Sequence, residues 1–145
     1  MSETWHQIDM ENLAESCDLE CKAAQGRDGR GELPEDIWKS YSAMANVNGG
    51  VILLGVQEKP RGTFTILGLT DVERVRKALW DNLHNKKQIS INLLDESDIA
   101  PITMEGLTLL RIRVPRATRK QRPVHIGNNP IGGTYLRRLR RRLSG

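Results

Sequence analysis

Apolar residues recur at helical spacing in two long stretches of the chain. They predict one helix over residues 35–46 and a second that begins after the candidate capping residues Thr70 and Asp71 and runs to about residue 85. Pro34 fits the start of the first helix, because its fixed φ suits the first turn and its missing N–H is not needed there. A shorter helix is predicted over residues 5–13.

Short apolar or alternating runs between turn residues predict the strands. Residues 51–56 form a continuous apolar run, which is typical of a buried strand. A hairpin is predicted through Glu105 and Gly106. The predicted strands are residues 18–22, 51–56, 63–67, 89–94, 102–104, 107–114, 124–126 and 134–137. Together with the helices they predict an α+β fold: a two-layer sandwich with a mixed sheet and two to three helices.

Length and composition limit the class of protein. A chain of 145 residues corresponds to about one domain, and neither a repeat nor a linker divides residues 1–145. No apolar run approaches the length of a membrane-spanning helix and no secretory signal is recognisable, so a cytoplasmic protein without membrane contact is expected. Cys17 and Cys21 lack the second Cys or His pair of a zinc site, and we expect buried thiols rather than a disulfide or redox pair.

Charge is distributed unevenly along the chain. Residues 106–145 hold half of the 22 Lys and Arg residues and none of the 18 Asp and Glu residues. A field of one sign favours a polyanion, and the forked guanidinium of Arg suits phosphate. The alternative is a solvated surface, which fits residues 140–142 well. The predicted nucleic-acid contacts are Arg111, Arg113, Arg116, Arg119, Lys120, Arg122, Arg137 and Arg138.

Several motifs in order resemble one known family. Residues 42–46 (Ser-Ala-Met-Ala-Asn), followed by the Gly-Gly-Val-Ile-Leu-Leu-Gly-Val run of residues 49–56, resemble the signature of the Schlafen-type, AlbA-like DNA-binding domain, also called a divergent AAA domain. The further matching segments are residues 15–22, which end in Glu-x-Lys, and residues 66–69, 109–115, 123–125 and 133–138. The resemblance spans about residues 11–138 and leaves residues 139–145 as a basic tail.

This resemblance implies binding of DNA or RNA without sequence specificity. It leaves open the choice between DNA and RNA and between single and double strands. Relatives occur in bacterial transcription regulators and in RecG-like, helicase-related proteins, and they can pair edge to edge, which makes a homodimer one expectation. A protein-interaction domain with an incidental basic tail is the alternative without nucleic acid. Tyr135, beside Arg137 and Arg138, is the best candidate for base stacking.

A metal-dependent nuclease is the second hypothesis that the resemblance implies. Some relatives cut nucleic acid with two glutamates and a later aspartate. The matching positions are Glu15 and Glu20, with Lys22 beside them, and Glu58 is the nearest acid to the third position, because Gln57 follows Gly-Val here. Carboxylates of this kind can hold Mg²⁺ or Mn²⁺, with Glu15 and Glu20 as the first ligands.

The glycine turn after the first long helix is the candidate phosphate site. Asn46, Asn48, Gly49 and Gly50 can form a backbone nest for one phosphate, of a nucleotide or of a nucleic-acid strand. Packing alone is the alternative for this turn. The chain lacks G-x-x-x-x-G-K-[S/T], so ATP hydrolysis is not expected.

Overall fold

The computed structural model describes residues 3–127 and 129–136. The helices are α1 (Gln7–Ser16), α2 (Ile37–Asn46), α3 (Val72–Leu83) and the short α4 (Pro130–Gly133). The strands are β1 (Glu3–Trp5), β2 (Leu19–Lys22), β3 (Gly50–Leu54), β4 (Val56–Glu58), β5 (Phe64–Ile66), β6 (Ile99–Met104) and β7 (Leu107–Val114). A 3₁₀ turn, Glu96–Asp98, precedes β6.

Five strands form one mixed sheet in the order β1-β6-β7-β3-β2. The central strand β7 is antiparallel to both of its neighbours, β6 and β3, whereas β1 and β2 run parallel to their neighbours at the two edges. Strands β4 and β5 form a separate antiparallel pair. The mixed sheet with helices confirms the predicted α+β class.

Side chains pack on both faces of the five-stranded sheet. On one face, Ile52 and Leu54 of β3 belong to the larger apolar cluster, which includes buried residues of α2 and α3. On the other face, Val51 and Leu53 join a smaller cluster with Met10 of α1. This alternation follows from the period of two along a strand, and it makes β3 a buried strand, as its apolar run predicts.

Some predicted elements differ from the structure. Trp5 lies in β1 rather than in a helix, and α1 begins at Gln7. The strand predicted over residues 51–56 is interrupted at Gly55, whose φ is +98°. The strands predicted near the C-terminus are reduced to isolated bridges, Ile89 with Ile126 and His125 with Thr134, and α4 occupies Pro130–Gly133.

The segment 89–94 is not a strand because its polar groups bond elsewhere. The N–H of Leu93 donates to the Tyr41 hydroxyl, and the N–H of Leu94 donates to the Asn92 side chain. These bonds replace the ladder that a strand would need. Within the described part of the chain, no helix has both the length and the apolar character needed to cross a membrane.

Candidate nucleic-acid interface

The turn between α2 and β3 is closely packed. Gly49 has a φ of +74°, and its N–H donates to the carbonyl of Met44 at 2.6 Å. A Cβ on Gly49 would lie 2.5 Å from the carbonyl oxygen of Val114, and one on Gly50 would lie 2.7 Å from that of Asp18. Packing therefore explains both glycines, and a phosphate site at the exposed Asn48 stays a prediction.

Asn46 holds two later segments of the chain on the end of α2. Its side-chain amide donates to the carbonyls of Val124 at 2.9 Å and Tyr135 at 3.0 Å, and its carbonyl accepts from the N–H of Val124 at 2.7 Å. Ser42 donates its hydroxyl to the same carbonyl of Val124 at 2.6 Å and accepts from the N–H of Tyr135. Asn46 was predicted to contact phosphate, but these bonds employ both ends of its buried amide.

A loop rich in cations runs across the C-terminal end of α2. We call residues 115–123 the basic loop; it contains Arg116, Arg119, Lys120 and Arg122. The N–H of Ala117 donates to the carbonyl of Ala45 at 2.8 Å, which fixes the loop at the negative end of the helix dipole. Bonds from the N–H groups of Gln121 and Arg122 to the carbonyl of Thr118 form a turn inside the loop.

The cationic side chains of the basic loop face solvent. Arg116, Arg119 and Lys120 are exposed and Arg122 is half-buried. None of the four takes part in the ion pairs found among residues 3–127 and 129–136. Their charges are therefore available to an anion from outside the chain.

The two arginines of β7 have different surroundings. Arg111 keeps only 12% of its side chain exposed, and its guanidinium donates to Glu3 of β1 and to the carbonyl of Ser97, each at 3.1 Å. The alternation of apolar and charged residues in the strand predicts that Arg111 contacts nucleic acid. In the structure its guanidinium instead bonds to residues of the same chain. Arg113 is exposed and lies close enough to Asp95 to help lower the pKa of that carboxyl, after the larger effects of hydrogen bonds from Ser97.

Tyr135 lies beside α2, where its carbonyl shares the Asn46 amide with that of Val124, the residue that directly follows the basic loop. Its main chain is bonded to Ser42 and Asn46, and the ammonium of Lys39 lies 5.9 Å from the centre of its ring. Lys39 is a cation that the sequence interpretation did not place in the interface, because only the fold brings it to Tyr135. Arg137 and Arg138, predicted contacts, lie outside the described residues, as do residues 140–142.

The acidic residues proposed for a nuclease are distributed over three elements. Glu15 lies near the end of α1, Glu20 and Lys22 lie in β2, and Glu58 lies in β4. Glu15 and Glu20 therefore belong to different elements, since α1 continues to Ser16 and β2 begins at Leu19. Among residues 3–127 and 129–136, no three His, Cys, Asp or Glu side chains form a metal-binding group.

Lys22 and Glu58 make different contacts. Lys22 forms an ion pair of 3.2 Å with Asp36, the residue that precedes α2, and Glu58 accepts from the N–H of Gly62 at 2.7 Å. The nuclease residues, with Mg²⁺ or Mn²⁺ as the metal, stay a prediction.

A second group of charged residues was not predicted from the sequence. Arg74 of α3 donates to both carboxylate oxygens of Asp28, at 2.8 and 2.9 Å, and to the carbonyl of Gly31, which tethers the glycine-rich loop of residues 25–31. The hydrogen bonds from Arg74 and from the N–H of Arg30 hold the pKa of Asp28 far below its usual range. No local pattern signals this pairing, since 46 residues separate its members.

The chain is similar to known proteins in sequence and in fold. A family model described as Schlafen, AlbA_2 matches residues 15–142. The N-terminal domain of a Nitrosomonas europaea protein related to the ATP-dependent DNA helicase RecG superposes with a TM-score of 0.65 at 23% identity, over 94% of this chain and 88% of that one. The DIP2311 protein of Corynebacterium diphtheriae gives 0.50 at 20% identity, over 83% of this chain but 23% of its own. No curated protein matches the sequence significantly.

Proposed function

The chain belongs to the Schlafen, AlbA_2 family, and we propose that it binds nucleic acid without sequence specificity, through its basic loop and the phosphate backbone. The observation that carries this proposal is the exposure of Arg116, Arg119 and Lys120 on a loop fixed to α2, without a carboxylate partner among the described residues. Such cations favour a polyanion, because binding releases the counterions condensed on its phosphates.

The absence of acids near the loop in sequence strengthens the electrostatic argument. All 18 Asp and Glu residues precede position 106, so the loop and the residues after it carry charge of one sign. Backbone contacts position a protein without reading bases, which is why we propose binding that tolerates any sequence. DNA is the partner we expect, since the similar domain from Nitrosomonas europaea comes from a protein described as related to a DNA helicase.

A direct binding assay tests the proposal. Labelled DNA is titrated with the protein in chelator, at two salt concentrations, and fluorescence anisotropy is measured. We expect affinity to fall steeply with salt and to fall about tenfold or more in the double variant Arg119→Glu/Lys120→Glu. The matched control is Lys59→Glu/Arg61→Glu, which makes the same charge change at exposed positions beside the β4–β5 turn.

The control decides how a loss of binding is interpreted. Equal losses in the two double variants would mean that only net charge matters and would remove the basic loop from the proposal. No binding at low salt would reject nucleic-acid binding and favour a protein-interaction domain.

The nuclease hypothesis is tested in the same samples. Addition of Mn²⁺ should produce cleavage that chelator abolishes, and Glu20→Ala should remove cleavage while leaving the anisotropy unchanged. Intact DNA after prolonged incubation with Mg²⁺ or with Mn²⁺ would contradict the nuclease hypothesis.

A further inference from the structure

Two large apolar side chains close to Tyr135 in the sequence face water. Ile131 is 94% exposed and Leu136 is 75% exposed, more than the other exposed large apolar side chains of the described residues, Ile8 and Leu107. Ile131 belongs to α4, and Leu136 directly follows Tyr135. We call Ile131, Tyr135 and Leu136 the apolar patch. Contacts to phosphate alone give no reason for such a patch beside a basic loop.

The patch is joined to the basic loop through the main chain. The N–H of Ile126 donates to the carbonyl of Gly133 at 2.8 Å, and His125 forms a bridge with Thr134. Asn46 bonds Val124, directly after the basic loop, and also Tyr135. The end of the basic loop and the patch therefore lie side by side on α2.

We infer that the apolar patch and the basic loop together bind a single strand of nucleic acid, with its bases on the patch and its phosphates on the loop. This inference rests on the proposed function and names its ligand class. A single strand presents unpaired bases to a protein, and aromatic and apolar side chains can stack on them whatever the sequence. In a duplex the base faces are covered by stacking, so the patch would have only groove edges to contact.

Tyr135 is well suited to serve as the rigid part of this surface. Its N–H and carbonyl are both bonded to side chains of α2, so its backbone position does not depend on its ring. The ammonium of Lys39, 5.9 Å from the ring centre, adds positive charge where a strand would pass. A substitution of the Tyr135 side chain therefore leaves these main-chain hydrogen bonds intact.

The test compares bases with phosphates at constant charge. The probes are a thymine oligonucleotide of about 12 nucleotides, an abasic strand of equal length, and a duplex of equal length. We expect the wild-type chain to bind the thymine strand about tenfold more tightly than the abasic strand. Tyr135→Ala and the double variant Ile131→Ser/Leu136→Ser should each reduce this ratio severalfold and leave abasic binding unchanged.

A matched control separates the patch from a general loss of apolar surface. Ile8→Ser removes an exposed apolar side chain from α1, which packs on the other face of the sheet. It should leave the ratio of thymine to abasic affinity unchanged. Circular dichroism of each variant verifies that the fold is retained.

The possible outcomes distinguish the single-strand inference from the proposed binding to phosphates. Salt-dependent binding with equal affinity for thymine and abasic strands would overturn the single-strand inference and leave phosphate binding intact. The absence of salt-dependent binding to every probe would overturn both. If Ile131→Ser/Leu136→Ser changed the oligomeric state without changing thymine affinity, the patch would be a contact between copies and the inference would be wrong.

Discussion

The phenol of Tyr41 forms hydrogen bonds with residues 91–93, a segment that belongs to no strand. Its hydroxyl donates to the carbonyl of Ile91 at 2.8 Å and accepts from the N–H of Leu93 at 2.9 Å. Burial raises the pKa of Tyr41 to about 12, although the bond from Leu93 acts in the opposite direction. The neutral phenol is therefore part of the folded state.

This pKa predicts a loss of stability in alkali. The pKa of Tyr41 is higher in the folded chain than its ordinary value of 10.0, so the stabilisation is complete below about pH 10 and is lost as the pH rises towards about 12. Tyr41→Phe should remove this dependence and lower the free energy of unfolding at neutral pH by about 1–3 kcal/mol, because half-buried backbone groups of Ile91 and Leu93 lose their partner. Urea unfolding across this pH range measures both effects, and an unchanged alkaline loss in Tyr41→Phe would contradict the assignment.

Asn46 gives a second prediction at the residue scale. Asn46→Ala should lower the free energy of unfolding by about 1–3 kcal/mol, since polar groups of Val124 and Tyr135 lose buried bonds. Asn46→Asp should cost more, because a carboxylate would face two carbonyl oxygens that now accept from the amide. Urea unfolding and hydrogen exchange at the N–H of Val124 measure the loss. An aspartate variant as stable as the wild type would reject this role for Asn46.

At the scale of elements, the turn between α2 and β3 depends on the absence of a side chain. Gly49→Ala should destabilise the fold by more than about 1 kcal/mol, because it combines a positive φ with a Cβ 2.5 Å from the carbonyl oxygen of Val114. Gly62→Ala is the matched control, since Gly62 has a φ of +88° but open space around it. Equal changes in the urea midpoints would mean that close approach contributes nothing.

Elements with a strong internal period were predictable, and those defined by distant partners were not. Both α2 and α3 follow from apolar spacing, and β7 follows from alternation. Strand β1 has three residues without a pattern, and it exists because it pairs in parallel with β6, about a hundred residues later.

The features of the candidate site were likewise predictable only where they do not depend on distant partners. The excess of cations after residue 106 is visible in the sequence, as is the turn at Gly49. The ion pair of Arg111 with Glu3 is not visible in the sequence, because the two residues are 108 positions apart and the alternation of β7 does not indicate it. The position of Lys39 over Tyr135 likewise requires the packed fold.

At the scale of the whole molecule, the fold reduces the number of charges that can contact a nucleic acid. Arg111 is engaged by Glu3, so it is less available than its place in the sequence suggests, whereas Arg113 is exposed. The basic loop keeps its cations exposed at the end of α2, where the helix dipole also favours positive charge. The proposed interface is therefore smaller than the basic part of the sequence.

This difference predicts how binding depends on salt. Each phosphate contact contributes about 0.7 to 0.9 to the slope of log affinity against log salt. Arg119→Gln/Lys120→Gln should therefore reduce the slope by about 1.4 to 1.8, whereas Arg111→Met should leave it unchanged, because the Arg111 guanidinium bonds to Glu3 and Ser97. Anisotropy titrations at several salt concentrations measure the slopes. A reduction in Arg111→Met equal to that of one loop cation would mean that Arg111 leaves Glu3 to contact phosphate, and the interface would then extend from the basic loop onto β7.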